Sequence, residues 1–314
     1  MEDSEKALHT KVAWAYYHES FTQAEIADKY GLTRIKVNRI LQQCRDNGMV
    51  QIIINSELAG CAGLEWRLEQ RWGLYRAIVV PTPEREKHLY GAIGQAAGDY
   101  VSNHLREGQA LGLGWGTTLR ASEAGLKRRT PGSISVVSLF GGLPRSVATN
   151  PYELVSDFSR ILGAKESYYI AAPMYAASEE VRSTLMNQTM FAELYARAAE
   201  VDMALIGAGD LTAKSTNVVL GALTEQEWRS LVEAGAVGEV FGYFIDKAGQ
   251  PVDHPINRRF MGPALDKLRS IPLTVVASGG RRKVGMLAAV LTGGYADVLV
   301  TDEVTAESVL AQSS

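Results

Sequence analysis

The residues of this chain that could do chemistry sit in five glycine-rich segments, each just after a short apolar run. In Gly112-Leu113-Gly114-Trp115-Gly116-Thr117-Thr118, the glycines let the backbone curl and expose its N–H groups. A following helix N-terminus would add positive potential and the threonines hydroxyls, which makes Gly114, Gly116, Thr117 and Thr118 a candidate phosphate or polyol cradle. The segment lacks the GK[ST] ending of a nucleotide P-loop and is not GxGxxG. A tight strand-to-helix turn is the bland alternative. Gly141-Gly142 forms the second segment and Gly207-Ala208-Gly209-Asp210 the third. Asp210 could accept hydrogen bonds from sugar hydroxyls or cap the next element. The fourth, Gly242-Tyr243-Phe244-Ile245-Asp246, ends on Asp246, which suits hydroxyl binding or a solvated turn. The fifth, Ser278-Gly279-Gly280-Arg281-Arg282-Lys283, brings three cations to a helix start. That place disfavours cations unless an anion is present, which points to Arg281 and especially Lys283 as ligand contacts.

A second chemistry lies near the N-terminus. From Thr33 to Arg45 there are four basic residues and no acidic one. On a helix, Thr33, Arg34, Lys36, Asn38, Arg39 and Gln42 would share the exposed side. Arginine can bridge guanine edges, asparagine and glutamine can bridge adenine, and lysine mainly holds phosphate. Double-stranded DNA is therefore the expected partner of this segment. A solvated basic face on a generic helical bundle is the bland alternative.

Other chemistries find less support. Cys44 and Cys61 are not in a CxxC or Cys/His spacing, so no metal, cofactor or disulfide framework is expected. An aldose–ketose isomerase-like enzyme would need a carboxylate paired with His or Lys. Of the histidines only His254 lies in a plausible loop of the larger domain, and a lone loop histidine is more often solvated. With 46% hydrophobic and 21% charged residues the chain has ample core. The net charge of −3 counts mildly against nucleic acid, but placement of charge matters more than its sum. No apolar leader and no apolar stretch of ~20 residues is present, so a cytoplasmic protein without a membrane partner is expected.

These groups need elements to hold them. Residues 1–56 read as a helical head. Leu8, Val12, Ala13, Ala15 and Tyr16 fall at helical spacing. Thr22 with Glu25 makes a capping box, with Phe21 and Ile26 as its hydrophobic staple. Gly31 supplies a tight turn, Thr33 caps the next helix, and Gly48 ends it. Two helices around such a turn predict a helix-turn-helix, with Val37, Ile40, Leu41 and Cys44 buried. Met49–Asn55 reads as a strand.

Residues 57–314 read as an α/β domain. Strands are expected at Ala77–Val80, Ala110–Leu113, Ser135–Leu139, Ser167–Ile170, Met203–Ile206, Val237–Phe244, Leu273–Ala277 and Val298–Thr301. Helices are expected between them, including Thr118–Lys127 and Glu179–Glu200. The alternation predicts a doubly wound, mainly parallel sheet. Ligands on such sheets bind at the carboxyl ends of the strands, where the five loops would converge.

These motifs together resemble the SorC/DeoR type of sugar-binding transcriptional regulator. The resemblance is carried by Ala13-Trp14-Ala15-Tyr16-Tyr17, by FTQAEIADKYGLTRIKVNRILQQCRDNGMVQIIIN, and by GLGWGTT, IGAGD, GYFID, VASGGRRK and GGYADVLVTDEVTA. It spans nearly the whole chain and is similar to regulators of autoinducer-2 uptake and of polyol (erythritol) use. It implies an effector domain related to phosphosugar isomerases, a homotetramer or dimer, a repressor, and a sugar, polyol or sugar-phosphate effector. It places the phosphate loop on Gly114, Gly116, Thr117 and Thr118, the pocket acid on Asp246, and the pocket lysine on Lys283. Trp115 inside that loop is bulky and could stack on a ligand or narrow the pocket.

Overall fold

Three helices build the N-terminal unit: α1 (Glu2–Tyr17), α2 (Gln23–Tyr30) and α3 (Arg34–Asp46). The computed structural model describes residues 2–50, 59–129, 132, 134–143 and 147–312. Val12, Ala13 and Ala15 of α1 pack with Ile26 and Ala27 of α2 and with Val37, Ile40, Leu41 and Cys44 of α3. The Thr22 hydroxyl accepts from the Glu25 N–H, and the Glu25 carboxylate accepts from the Thr22 N–H at 2.7 Å. Gly31 takes the left-handed conformation (φ 63°) and donates its N–H to Ala27. Without a Cβ it does so at little cost, which lets α3 start three residues later, at Arg34. The Thr33 hydroxyl accepts the Lys36 N–H at 3.2 Å.

The chain divides into two units, Met1–Ala59 and Gly60–Ser314. The expected strand at Met49–Asn55 and the expected boundary at 56/57 fall mostly on residues outside those described.

A seven-stranded sheet carries the second unit: β1 (Arg76–Val80), β2 (Ala110–Leu113), β3 (Ser135–Ser138), β4 (Glu166–Tyr168), β5 (Met203–Ile206), β9 (Thr274–Ala277) and β10 (Val298–Asp302). Their order is β1-β10-β9-β5-β2-β3-β4, and every neighbouring pair is parallel. The central strands are buried throughout, as expected when helices cover both faces. From β2 the chain winds outward to β3 and β4. It then returns to β5 on the other side of β2 and winds on to β9 and β10. The strand order therefore reverses between β2 and β5, and a crevice opens beyond their carboxyl ends.

A second, three-stranded antiparallel sheet holds β6 (Ala208–Asp210), β7 (Gly238–Val240) and β8 (Tyr243–Ile245). It corrects the expected single strand Val237–Phe244. Phe241 and Gly242 both have positive φ, 53° and 83°, so the chain reverses in a two-residue hairpin. The expected helix Glu179–Glu200 is two helices, Glu179–Met186 and Thr189–Ala199, broken where Asn187 caps the first and extended Gln188 opens the second. The expected helix Thr118–Lys127 ends at Ala121 and continues as a 3-10 turn over Ser122–Gly125. Among the described residues no helix is long and apolar enough to cross a membrane.

Candidate functional site

The crevice between β2 and β5 holds a cavity of about 230 Å³. One wall is the segment after β2, from Trp115 to Leu119. The opposite wall is the segment after β5, Gly207 to Asp210, which continues to Asn217. Arg282 and Lys283, after β9, complete it together with Glu239 of β7 and Tyr90. Three different loops are thus brought to one place by the reversal of strand order.

Lys283 is half-buried. Its Nζ donates to the Ser278 hydroxyl at 3.3 Å, and that hydroxyl donates to the Ala208 carbonyl at 3.0 Å. Burial pulls the Lys283 ammonium below its ordinary pKa, and the nearby carboxylates of Asp210 and Glu239 oppose that fall. Asp210 is buried, and its Oδ1 accepts from the Thr212 N–H at 3.0 Å and the Thr212 hydroxyl at 2.6 Å.

Glu239 is 4% exposed. Burial raises its pKa, while the Asn217 amide, the Gly242 N–H and Trp115 favour its charged form. The Asn217 amide donates to Oε2 at 3.0 Å, and the Gly242 N–H lies 3.3 Å from Oε1. The pocket thus alternates charge: Lys283 faces two carboxylates, while the cations Lys214 and Arg282 are exposed. Such a surface presents both donors and acceptors to a polyhydroxylated molecule.

The structure brings Gly116, Thr117, Thr118, Asp210 and Lys283 together around this cavity. It does not bring the other four expected contacts there. Gly114 donates its N–H to Leu205, and a Cβ on it would lie 3.3 Å from Ile206, so its role is to seat the end of β2 against β5. Gly141 lies against Ala172 and Pro173, where a Cβ would come within 2.5 Å of a carbonyl, and that packing explains the glycine. Asp246 folds onto its own turn, accepting N–H groups of Ala248 and Gln250, each at 2.9 Å. The hairpin at Phe241-Gly242 is the reason: β8 runs antiparallel to β7, so its end does not join the parallel strand ends. Arg281 lines a separate hollow with Thr82, Glu84 and Asp302. In a 3-10 turn successive side chains diverge by a third of a circle, which separates Arg281 from Arg282 and Lys283.

Sequence reasoning missed Glu239, Asn217 and Ser215. A signal for Glu239 existed: a lone carboxylate in the apolar run Val237–Phe244. Asn217 and Ser215 lie in an unremarkable polar stretch, and only the fold carries them to the cavity.

In the N-terminal unit, Thr33, Arg34, Lys36, Asn38, Arg39 and Gln42 are all exposed. Arg45 is engaged by the Tyr17 hydroxyl at 2.7 Å. Ile35 is 82% exposed beside them, and an apolar side chain there suits contact with a thymine methyl.

Residues 56–311 match the sequence profile of a sugar-binding domain family. The transcriptional regulator LsrR of Klebsiella pneumoniae subsp. pneumoniae is 32% identical over 318 aligned positions, covering 99% of this chain and 95% of that protein. LsrR of Escherichia coli strain K12 is 30% identical over 307 positions, covering 96% and 93%. The crystal structure of the full-length sorbitol operon regulator SorC from Klebsiella pneumoniae superposes with a TM-score of 0.76 at 26% identity, covering 98% of this chain and 99% of SorC. A DeoR family transcriptional regulator from Listeria monocytogenes superposes with a TM-score of 0.73 at 25% identity, over 79% of this chain and 98% of that one.

Proposed function

We propose a function for a chain that belongs to the SorC/DeoR type of sugar-binding transcriptional regulators. It binds operator DNA and regulates a carbohydrate or polyol operon in response to a sugar, polyol or sugar phosphate. It is a regulator rather than an enzyme, as its relatives are. The observation that carries the effector half is the cavity at the β2/β5 reversal, whose lining holds Lys283 together with Asp210 and Glu239.

We assign the effector contacts to Gly116, Thr117, Thr118, Asp210 and Lys283, joined by Glu239 and Arg282. The DNA contacts are Thr33, Arg34, Lys36, Asn38, Arg39 and Gln42 on α3 and its cap. In the head only Thr33–Arg45 carries an excess of basic over acidic residues, since Lys6, Lys11 and Lys29 lie among acids, so one copy offers few phosphate contacts. Useful affinity then calls for a homo-oligomer, a dimer or tetramer, reading paired half-sites ~34 Å apart. The effector acts through its different affinity for the DNA-binding and DNA-released arrangements of that oligomer. In this reading the protein is a cytoplasmic repressor released by its effector.

A gel-shift on the region upstream of the chain's own operon tests the proposal, with a panel of sugars, polyols and their phosphates. Specific retardation changed by one of them is the expected result. No specific binding with or without any of them sinks the regulator reading, and turnover of a sugar phosphate favours an enzyme.

A further inference from the structure

Asp302 ends β10 and caps the helix Glu303–Ala311, its Oδ2 accepting the Thr305 N–H at 3.2 Å. Capping asks no more of the residue than that bond. Its other oxygen is turned to a different loop. Oδ1 accepts the Thr305 hydroxyl and also the Gly280 N–H, the latter at 3.2 Å. The same Gly280 N–H donates to the Thr305 Oγ1 at 2.7 Å. The hydroxyl of Thr305 thus receives from Gly280 and gives its own proton to Asp302, using both of its roles to fix the Gly280 peptide. Asp302 and Thr305 are 1% and 0% exposed. Thr82 closes the network from the far side. Its hydroxyl donates to Oδ2 at 2.8 Å and accepts the Val304 N–H at 3.0 Å.

The loop after β9 is built to come this close. A Cβ on Gly279 would lie 2.4 Å from Asp302 Oδ1 and 2.5 Å from Ile93, and Gly280 has a φ of 103°. Glycine meets both demands. Gly280 is also the foot of the 3-10 turn Arg281–Lys283, since its carbonyl accepts the Lys283 N–H at 2.8 Å. The place of Lys283 therefore follows that of the Gly280 peptide. The lysine's own side chain does little to hold it. Among the described residues its Nζ has one hydrogen bond, the 3.3 Å contact with Ser278, and it lies 5.6 Å from the centre of the Tyr90 ring. Asp302 and Thr305 stand behind the loop, outside the lining of the effector cavity.

Building on the proposed effector site, we propose that Thr305, backed by Asp302, is a positioning residue of that site. It holds the Gly280 peptide, and through it sets Lys283 in the cavity, without touching the effector. A binding group has to be kept within ~0.5 Å of its productive place by neighbours that are themselves locked, and a long, loosely bonded lysine depends on such a foot. Thr82 bonds to the same carboxylate but to Val304 rather than Gly280, so it braces Asp302 without holding the loop.

Two measurements on the full chain test this. Thr305→Val removes the hydroxyl and keeps the shape, Thr305→Ser keeps the hydroxyl, and Thr82→Val loosens the same carboxylate from the other side. The first measurement needs no effector: trace acetylation of Lys283 by acetic anhydride, read by mass spectrometry across pH. Burial holds the Lys283 ammonium below its ordinary pKa, so a lysine freed from its seat titrates higher. The midpoint should rise in Thr305→Val and stay in place in Thr305→Ser and Thr82→Val. The second is calorimetric titration with ribitol, sorbitol, ribose, fructose and their monophosphates. The probe that the parent binds should bind Thr305→Val about 3- to 10-fold more weakly, the size of one hydrogen bond, and the other two variants as it binds the parent. Should Thr305→Val not fold, Gly280→Ala takes its place, since a Cβ at that φ is strained and must shift the turn. An unmoved midpoint, or Thr82→Val losing as much affinity as Thr305→Val, would overturn the inference. A probe whose affinity Lys283→Ala leaves unchanged, or binding of no probe, would instead fail the effector site itself and take this inference with it, even with a moved midpoint.

Discussion

Gly209 of β6 stands opposite Glu239 of β7 in the antiparallel ladder, and a Cβ on Gly209 would lie 3.2 Å from Glu239 Oε2. It would also lie 3.4 Å from the Asn217 amide nitrogen. The glycine therefore leaves room for the hydrogen bond that joins those two side chains across the cavity wall. A small residue in one strand sets the position of a buried carboxylate in its neighbour.

Gly209→Ala is expected to displace Glu239 by a few tenths of an ångström and to loosen Asn217. Effector affinity should fall about tenfold, the equivalent of ~1.4 kcal/mol, while the fold persists. Calorimetric titration beside a circular-dichroism melt checks this. Unchanged affinity would show that Glu239 does not position the ligand.

The two activities should separate by mutation. Arg39→Ala, on the exposed side of α3, should weaken operator binding by ~1–3 kcal/mol if it reads a base, and leave effector affinity unchanged. Lys283→Ala should lower effector affinity and leave operator binding without effector unchanged. Fluorescence anisotropy on labelled operator and calorimetry on effector measure both quantities for both variants. Equal loss of both in both variants would contradict the assignment.

Thr33 caps α3 through the Lys36 N–H. Thr33→Ala should cost about 1 kcal/mol of stability in the head, and Thr33→Asn should restore it, since both residue types cap well. Melting curves of the three proteins compare them. Thr33→Ala with an unchanged melt would mean that the cap contributes nothing.

His254 has a pH signature. Its Nδ1 accepts the Ile256 N–H at 3.2 Å and its Nε2 lies 3.0 Å from the Ser230 hydroxyl, so the neutral ring with a proton on Nε2 is the form that fits. Burial lowers its pKa from the ordinary 6.5. A depressed histidine binds its proton more readily in the unfolded chain, so unfolding is favoured as the proton is taken up. This contribution is fully present above pH ~6.5 and is lost as pH falls through the lower folded-state value. Melting temperature measured from pH 7.5 to pH 5 should fall more for the parent than for His254→Asn, which keeps a capping side chain and lacks the titration. Parallel curves would remove His254 from the account.

The fold was legible where periodicity and punctuation agreed. The capping box at Thr22–Glu25, the left-handed Gly31 and the cap at Thr33 lie where residue types put them. The parallel strands follow from short apolar runs between helices. The hairpin at Phe241-Gly242 was hidden because Phe241 is a bulky residue at positive φ, and that strain is met by tertiary packing. The error carried into the site: with a straight strand Asp246 would end among the loops, and with a hairpin Glu239 takes the cavity wall instead. Asp210 and Lys283 were legible as a carboxylate and a cation at strand ends. Asn217 was not, because its meaning comes only from the carboxylate it touches. Arg281 and Arg282 are alike in sequence and are separated only by the pitch of a 3-10 turn.

The central claim is that ligand in the β2/β5 cavity controls the grip of α3 on DNA. Operator affinity titrated against an effector found by calorimetric titration with sugars, polyols and their phosphates, in the parent chain and in Lys283→Ala, tests it most directly. The account predicts an affinity change of about 5- to 150-fold at saturating effector in the parent, and none at the same concentration in Lys283→Ala. An effector that binds the cavity by calorimetry and leaves operator affinity unmoved in the parent would contradict it.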